Sequence, residues 1–247
     1  MNTQETISKM KTMRLLGMHH AFQTSLETRQ NEQLSADELV SLLIQAEYDD
    51  RQNRKVNRYL KAARFRYSAQ VEQIDFTSPR GLDRNAVLRL ASCQFIEKHE
   101  NLLITGPTGV GKSYLASAFG HQACMLGYKV LYLNTAKLFS QLKMSKADGS
   151  YHKLINRIEK QDLLLLDDFG LYPLDEESRL MLLEVIEDRH GRRSTLVASQ
   201  LPVAKWYDLF QAQTIADAVL DRIVHTAHRL ELKGESMRKN KTKKVIP

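Results

Sequence analysis

Gly106-Pro107-Thr108-Gly109-Val110-Gly111-Lys112-Ser113 satisfies the spacing G-x-x-x-x-G-K-[ST] at every fixed position. Glycines in such a run let successive backbone N–H groups turn inward toward phosphate oxygens. The apolar Leu102-Leu103-Ile104 precedes the run, and a helical pattern, Lys112 to Met125, follows it. A helix that starts here presents its positive end to the same anion. Gly106 to Ser113 is therefore read as a phosphate-binding loop. Lys112 is expected to reach β- and γ-phosphates, and the Ser113 hydroxyl to ligate Mg²⁺.

Two further strand ends complete this reading. Leu163-Leu164-Leu165-Leu166-Asp167-Asp168 is an apolar strand that runs into paired acids. Beside a phosphate loop, Asp167 is expected on the Mg²⁺ side, and Asp168 is suited to polarise an attacking water. Thr195-Leu196-Val197-Ala198-Ser199-Gln200 is a second apolar strand with polar residues at its end. Ser199 or Gln200 there would face a γ-phosphate or the water. Val130 to Leu133 adds another strand, and helical patterns fall at 83–98, 136–143, 154–159, 176–190 and from 201 to Arg222. Continuous apolar strands separated by helices give an α/β fold with a parallel sheet covered on both faces. Arg222 and Arg238 are candidate phosphate-sensing arginines. His225 and His228, three apart on what reads as one helix, have no carboxylate or cysteine to complete a metal set. They read as packing or surface residues.

The first 70 residues differ in kind. They hold a single glycine, Gly17, and no proline, and show no alternating apolar pattern. Ser35-Ala36-Asp37-Glu38 has the form of a capping box. A helical stretch from Arg51 to Arg66 then carries Arg51, Arg54, Lys55, Arg58, Lys61, Arg64 and Arg66 with no acid between them. Seven like charges on a broad helix face repel one another, which points to a polyanionic partner rather than to solvent alone. The division expected is a helical module over 1–68, a linker over 69–90 punctuated by Pro79 and Gly81, the α/β domain over 91–237, and a basic tail over 238–247.

Composition bounds the function classes. The chain has 247 residues, 43% hydrophobic and 26% charged, which excludes a fibrous or mainly disordered protein. Its formal charge of +7 is uneven, with 8 basic against 2 acidic side chains in residues 222–247. Such flanks attract a polyanion. No apolar run approaches a bilayer span. Two cysteines, Cys93 and Cys124, suggest neither a disulfide framework nor a Cys-rich metal site. A cytoplasmic protein with reduced thiols is expected.

With these motifs assembled, the whole chain resembles the IstB family of AAA+ ATPases, which assist the transposases of insertion sequences. It is more distantly similar to the helicase loader DnaC and the initiator DnaA. The resemblance rests on KAARFR (Lys61 to Arg66), IDF (Ile74 to Phe76), the phosphate loop, LLLLDDFG (Leu163 to Gly170), ASQLP (Ala198 to Pro202), AVLDRIVH (Ala218 to His225) and GESMR (Gly234 to Arg238). It implies an AAA+ P-loop core behind a small all-helical domain that helps grip double-stranded DNA. It implies ATP and Mg²⁺ at Gly106 to Ser113, with Asp167 and Asp168 as the Walker B pair. Gln200 would stand near the sensor-one position, Arg222 as an arginine finger acting on a neighbouring subunit, and Arg238 as the sensor-two arginine. ATP-dependent homo-oligomers, a cognate transposase and no membrane complete the expectation. Two departures stand out: Asp168 where many such proteins have Glu, and Gln200 where Asn is common. The resemblance leaves open a DnaC-like helicase loader, and Asp168 leaves open a nucleotide-gated DNA scaffold with little hydrolysis. A small-molecule kinase would leave the basic helix without a purpose.

Overall fold

Apolar segments set the architecture before any site is considered. In the computed structural model, which describes residues 2–29 and 32–237, the chain forms two units, Met1–Arg58 and Tyr59–Pro247. The smaller unit ends ten residues before the helical module expected over 1–68, and the larger unit takes in the rest of that span and the expected linker. Ala63 is fully buried and packs with Phe65 and Tyr67 in the core of that unit.

The smaller unit is helical: α1 (Thr3–Thr12), α2 (Leu16–Glu27) and most of α3 (Ala36–Ala63). The capping box at the start of α3 forms as read. The Glu38 amide donates to Ser35 Oγ at 3.3 Å, and Ser35 N donates back to Glu38 Oε2 at 2.8 Å. The residue before α2 is Leu15, which has no side chain able to cap. Glu47, from the middle of α3, does so instead. Its Oε2 accepts the amides of Gly17 at 2.9 Å and Met18 at 3.3 Å. Burial opposes the charge on Glu47. Hydrogen bonds from Arg51, Met18 and Gly17 outweigh that and hold its carboxyl below the usual range.

The larger unit is a three-layer sandwich. Its strands are β1 (Asn101–Thr105), β2 (Val130–Asn134), β3 (Leu163–Phe169), β4 (Ser194–Ser199) and β5 (Ala227–Glu231). They lie in the order β2-β3-β4-β1-β5, and all pairs are parallel. Leu163 and Leu165 pack on one face with Leu102, Ile104 and α6 (Lys112–Met125). Leu164 and Leu166 pack on the other with α7 (Thr135–Ala147), α8 (Tyr151–Glu159), α9 (Glu176–Arg189) and α10 (Gln213–Val224). Both faces of the central strands are buried, so the apolar runs are continuous.

Several expectations need correction. The helix read over 83–98 is split into α4 (Arg84–Ala91) and α5 (Gln94–Glu97), because the buried Cys93 takes a left-handed conformation at φ 58°. The span 201–222 is two 3₁₀ turns, Val203–Lys205 and Tyr207–Leu209, followed by α10. The Trp206 indole donates to the Leu201 carbonyl at 3.0 Å and folds this span back on itself. Helix α10 ends at Val224, so His225 and His228 do not share a helix. His228 lies on β5 and pairs with Glu100 at 2.7 Å. The segment 69–90 holds buried Val71, Ile74, Arg80 and Val87, so it packs as part of the core rather than as a linker. Cys93 and Cys124 are free and buried, and burial pushes both thiols up to about 12. Among the described residues no helix is long and apolar enough to cross a membrane. The basic tail read over 238–247 lies outside the described residues.

The Glu47 cap is testable. Glu47→Gln should cost about 1–3 kcal/mol and speed hydrogen exchange at the Gly17 and Met18 amides. Because the folded carboxyl titrates low, the native contribution is complete above the ordinary glutamate range. It should fade as pH falls through the lowered value, which exchange measured against pH will report.

Candidate nucleotide site

The site lies where β1, β3 and β4 end. The loop 106–111 leaves β1 and turns into α6 through Gly106 (φ 145°), Gly109 (φ 87°) and Gly111 (φ 98°). A Cβ on Gly106 would sit 2.3 Å from the Leu232 carbonyl oxygen, and one on Gly109 would sit 2.1 Å from Ser236 Oγ. The loop is therefore pressed against the segment after β5. Leu232 N donates to Thr105 O at 2.7 Å, and Met237 N donates to Gly109 O at 3.0 Å. From the other side, buried Arg80 donates through Nη1 to the Val110 carbonyl at 3.0 Å and through Nη2 to the Asp75 carbonyl at 2.6 Å. Asp75 is itself fixed, its carboxyl held well below the usual range by hydrogen bonds from Ser78 and Thr77. The loop is thus built rigid, and the amides that open α6 have no residue before them able to cap.

Lys112 is buried, and its Nζ donates to the Pro107 carbonyl at 2.8 Å, which curls it over the loop. Ser113 Oγ donates to Asp167 Oδ1 at 2.9 Å, although the two lie on different strand–helix units. A hydroxyl and a carboxylate at this separation are the donor set that a hard divalent cation takes beside a triphosphate. Asp167 is further anchored through Oδ2 by the Tyr132 hydroxyl.

Asp168 has a feature that the sequence does not announce. Its φ is +56°, in the left-handed region. In the β3–β4 ladder Leu166 pairs with Val197 and Phe169 with Ser199, so Asp167 and Asp168 together oppose Ala198 alone. This is a β-bulge, and it turns the second acid outward to the rim. Asn134 Nδ2 donates to Asp168 Oδ2 at 2.9 Å. Asp is several-fold enriched in the left-handed region compared with most side chains. The bulge therefore supplies a backbone reason for Asp, rather than Glu, at this position.

The remaining sequence candidates fall into three groups. Gln200 is brought to the loop, where Thr108 Oγ1 donates to its Oε1 at 2.6 Å. Arg222 is not. Its carbonyl accepts from Asn101 Nδ2 at 2.9 Å, and Asn101 begins β1, whereas the loop follows the end of that strand. The four steps between the five residues of β1, at about 3.3 Å each, put those ends roughly 13 Å apart. Arg222 pairs there with Glu187 at 2.8 Å. Arg238 lies outside the described residues. The basic run divides as well. Arg51 pairs with Glu47 at 2.6 Å and Arg54 with Asp50 at 2.7 Å, acids one helical turn earlier, so the run is less self-repelling than its own span suggests. The helix stops at Ala63, and Arg64 is left-handed at φ 56°. Arg66 then turns to the acids, 3.1 Å from Asp168 Oδ2, instead of continuing the helix face. Asn134, Tyr132 and Arg80 are site residues that pattern reading passed over, and Arg66, read as one of the basic run, joins them. Asn134, a polar residue ending an apolar strand, carries the same signal that picked out Gln200.

Comparison with known proteins places this geometry. The family model described as IstB-like ATP binding protein matches residues 8–245. A Sinorhizobium fredii protein named as an insertion sequence ATP-binding protein is 46% identical over 239 residues, covering 97% of this chain and 98% of that one. The ATP-binding protein named for insertion sequence IS1162 of Pseudomonas fluorescens is 44% identical, covering 82% and 88%. The one named for IS21 of Pseudomonas aeruginosa is 31% identical, covering 89% and 83%. Among solved structures, the DnaC helicase loader matches with a TM-score of 0.54 at 22% identity, over 71% of this chain and 99% of that one. The replication initiator DnaA, solved with AMPPCP and single-stranded DNA, matches at 0.52 and 20% identity, over 69% and 56%. These two likenesses establish a shared AAA+ fold. By the extent of the family match and the identity to its relatives, this chain belongs to the IstB-like ATP binding protein family.

Proposed function

We propose that this protein is an ATP-dependent, DNA-binding transposition helper that assembles on duplex DNA, hydrolyses ATP and recruits or stimulates a transposase. The observation that carries the reading is the pairing of Ser113 with Asp167 beneath a glycine cradle at one end of a parallel sheet, in a chain whose relatives are named for insertion sequences. Loop amides and Lys112 would hold the phosphates. Ser113 and Asp167 would hold Mg²⁺, which neutralises charge on the β- and γ-oxygens. Water attacks the γ-phosphorus, the bond to the ADP oxygen breaks, and Asp168 takes the water's hydrogen. Gln200, tied to Thr108, would orient the γ-phosphate.

Arg222 stands at the far end of β1 from its own loop, which supports a role on a neighbour's nucleotide. One protomer's arginine end then meets the next protomer's loop end, a head-to-tail contact that builds rings or open spirals. Duplex DNA would lie on the basic stretch from Arg51 to Lys61, each weak phosphate contact multiplied by assembly. Sizing the protein on duplex DNA with ATP, with ADP and without nucleotide tests the whole scheme. A particle that stays monomeric in all three conditions overturns it.

Lys112→Ala should abolish nucleotide-dependent assembly. Arg222→Ala should keep ATP affinity within a few-fold and lose hydrolysis; a variant that hydrolyses normally would remove the intersubunit arrangement. DNA affinity should fall by about 0.9 log unit per log unit of salt for each phosphate neutralised, measured by fluorescence anisotropy. Asp168→Asn should leave folding and ATP binding in place and reduce hydrolysis at least about 100-fold. Asp168→Glu, which suits the left-handed bulge less well, should lower the melting temperature more than Asp168→Asn does.

A further inference from the structure

Arg66 does not lie on the basic helix, and the way it is held explains why. The chain leaves α3 at Ala63, turns at left-handed Arg64, and seats the Phe65 ring against the sheet. Phe65 meets the Tyr132 ring edge to face at 6.4 Å. A Cβ on Gly120 would lie 2.4 Å from Phe65 Cε1, so this seat exists only because α6 has a glycine there. With Phe65 pinned, Arg66 Nη1 comes to 3.1 Å from Asp168 Oδ2 and 3.5 Å from Asp167 Oδ2. The acids are thus approached from two sides. Asp167 Oδ1 is engaged by Ser113 of the phosphate loop, while the Oδ2 atoms of both acids are engaged by Arg66.

Behind Arg66 opens a cleft of about 530 Å³ that does not include the phosphate loop. Arg64, Arg66, Lys137 and Arg157 line it, with Asp168 as the one carboxylate in its wall among the described residues. Among the described residues Arg64, Lys137 and Arg157 have no ion-pair partner. Four cations around an open recess, three of them uncompensated, attract an anion. Arg64, Lys137 and Arg157 are exposed, so an extended phosphate backbone can reach them.

We propose that this cleft takes backbone phosphates of duplex DNA and that Arg66 is a positioning residue which couples their arrival to ATP hydrolysis. The proposal rests on the hydrolytic reading given above. Arg66 is shared between the cleft and the acids. While it holds Asp168 Oδ2, that oxygen's lone pairs are engaged and accept the attacking water's hydrogen poorly. A DNA phosphate in the cleft competes for the guanidinium, draws it off Asp168 and frees the acceptor. Hydrolysis then speeds up on DNA without any change in how the loop holds the triphosphate.

The test uses the full chain, with phosphate release measured with and without duplex DNA and ATP affinity measured separately. Wild type should hydrolyse several-fold faster on DNA. Arg66→Gln should raise the DNA-free rate toward the DNA-stimulated one, erase stimulation and leave ATP affinity within about twofold. Arg66→Lys, which keeps the charge, should restore part of the stimulation. Lys137→Gln with Arg157→Gln should raise at least five-fold the DNA concentration that gives half-maximal stimulation. Melting curves check that each variant is folded.

Arg66→Gln that is slower than wild type in both conditions assigns Arg66 to the γ-phosphate directly and overturns the coupling, as does Arg66→Gln that DNA still stimulates normally. Inorganic phosphate or tripolyphosphate that stimulates as well as DNA overturns the duplex as occupant. A wild type with no phosphate release under any condition overturns the hydrolytic reading itself, and the coupling falls with it.

Discussion

Parallel strands all point their carboxyl ends one way, and the chemistry of this protein depends on that polarity. β1 delivers the phosphate loop, β3 delivers Asp167 and Asp168, and β4 delivers Gln200 to a single rim. β4 lies between β1 and β3, so Ser113 and Asp167 meet across an intervening strand. Strand neighbours lie about 4.8 Å apart, and two such steps leave room for side chains from both outer strands to converge. An order with β1 beside β3 would crowd that space. The leucine-rich strands keep the rim in place: Leu102, Leu103, Leu164 and Leu166 are completely buried. A cavity in that layer would cost about 2–5 kcal/mol and would displace the acids along with the core.

The rim is also tied down by segments far away in sequence. Arg80 spans from the Asp75 turn to the Val110 carbonyl, and the stretch after β5 supports the loop from beneath. Both supports use main-chain groups, so they fix the loop's path without competing for the groups that would face phosphate. At the opposite, amino-terminal end of β3 and β4, buried Arg189 donates to the carbonyls of Ile158 and Gln161 and closes the end of α8. Burial lowers its guanidinium to about 9, yet neutral carbonyls suffice as partners. Glu47 does the same service at the start of α2. In each case a charged side chain from a remote helix satisfies backbone groups that the local sequence leaves open.

Legibility followed range. Interactions that close within a few residues could be read from the sequence: the capping box at Ser35, the glycine loop, the apolar runs of β1 to β4, and α6 with the ends observed. What failed involved distance or backbone sign. β5 was missed because only Leu230 of Ala227–Glu231 is buried, so this edge strand has no apolar run. The break at Cys93 and the end of the basic helix before Arg64 both rest on left-handed residues that are not glycine, which composition does not flag. Arg66 read as one more cation on a helix face because its partners, Asp167 and Asp168, lie about a hundred positions away and meet it only after the sheet has formed.

The extra residue in β3 also bears on how this protein can change. Strict alternation would put Phe169 on the same face as Leu163 and Leu165. The bulge resets the count, and Phe169 instead joins Leu164 and Leu166, 4.8 Å from the buried Trp206. Because the bulge is one added residue, losing either acid by a single-codon deletion would restore plain alternation, keep the aromatic ring opposite Ser199 and leave it in its present layer. Point substitution can silence the carboxylates, and shortening the strand by one residue would remove one of them with the hydrophobic interior still seated. The second acid is therefore an insertion that the core accommodates rather than one that it requires.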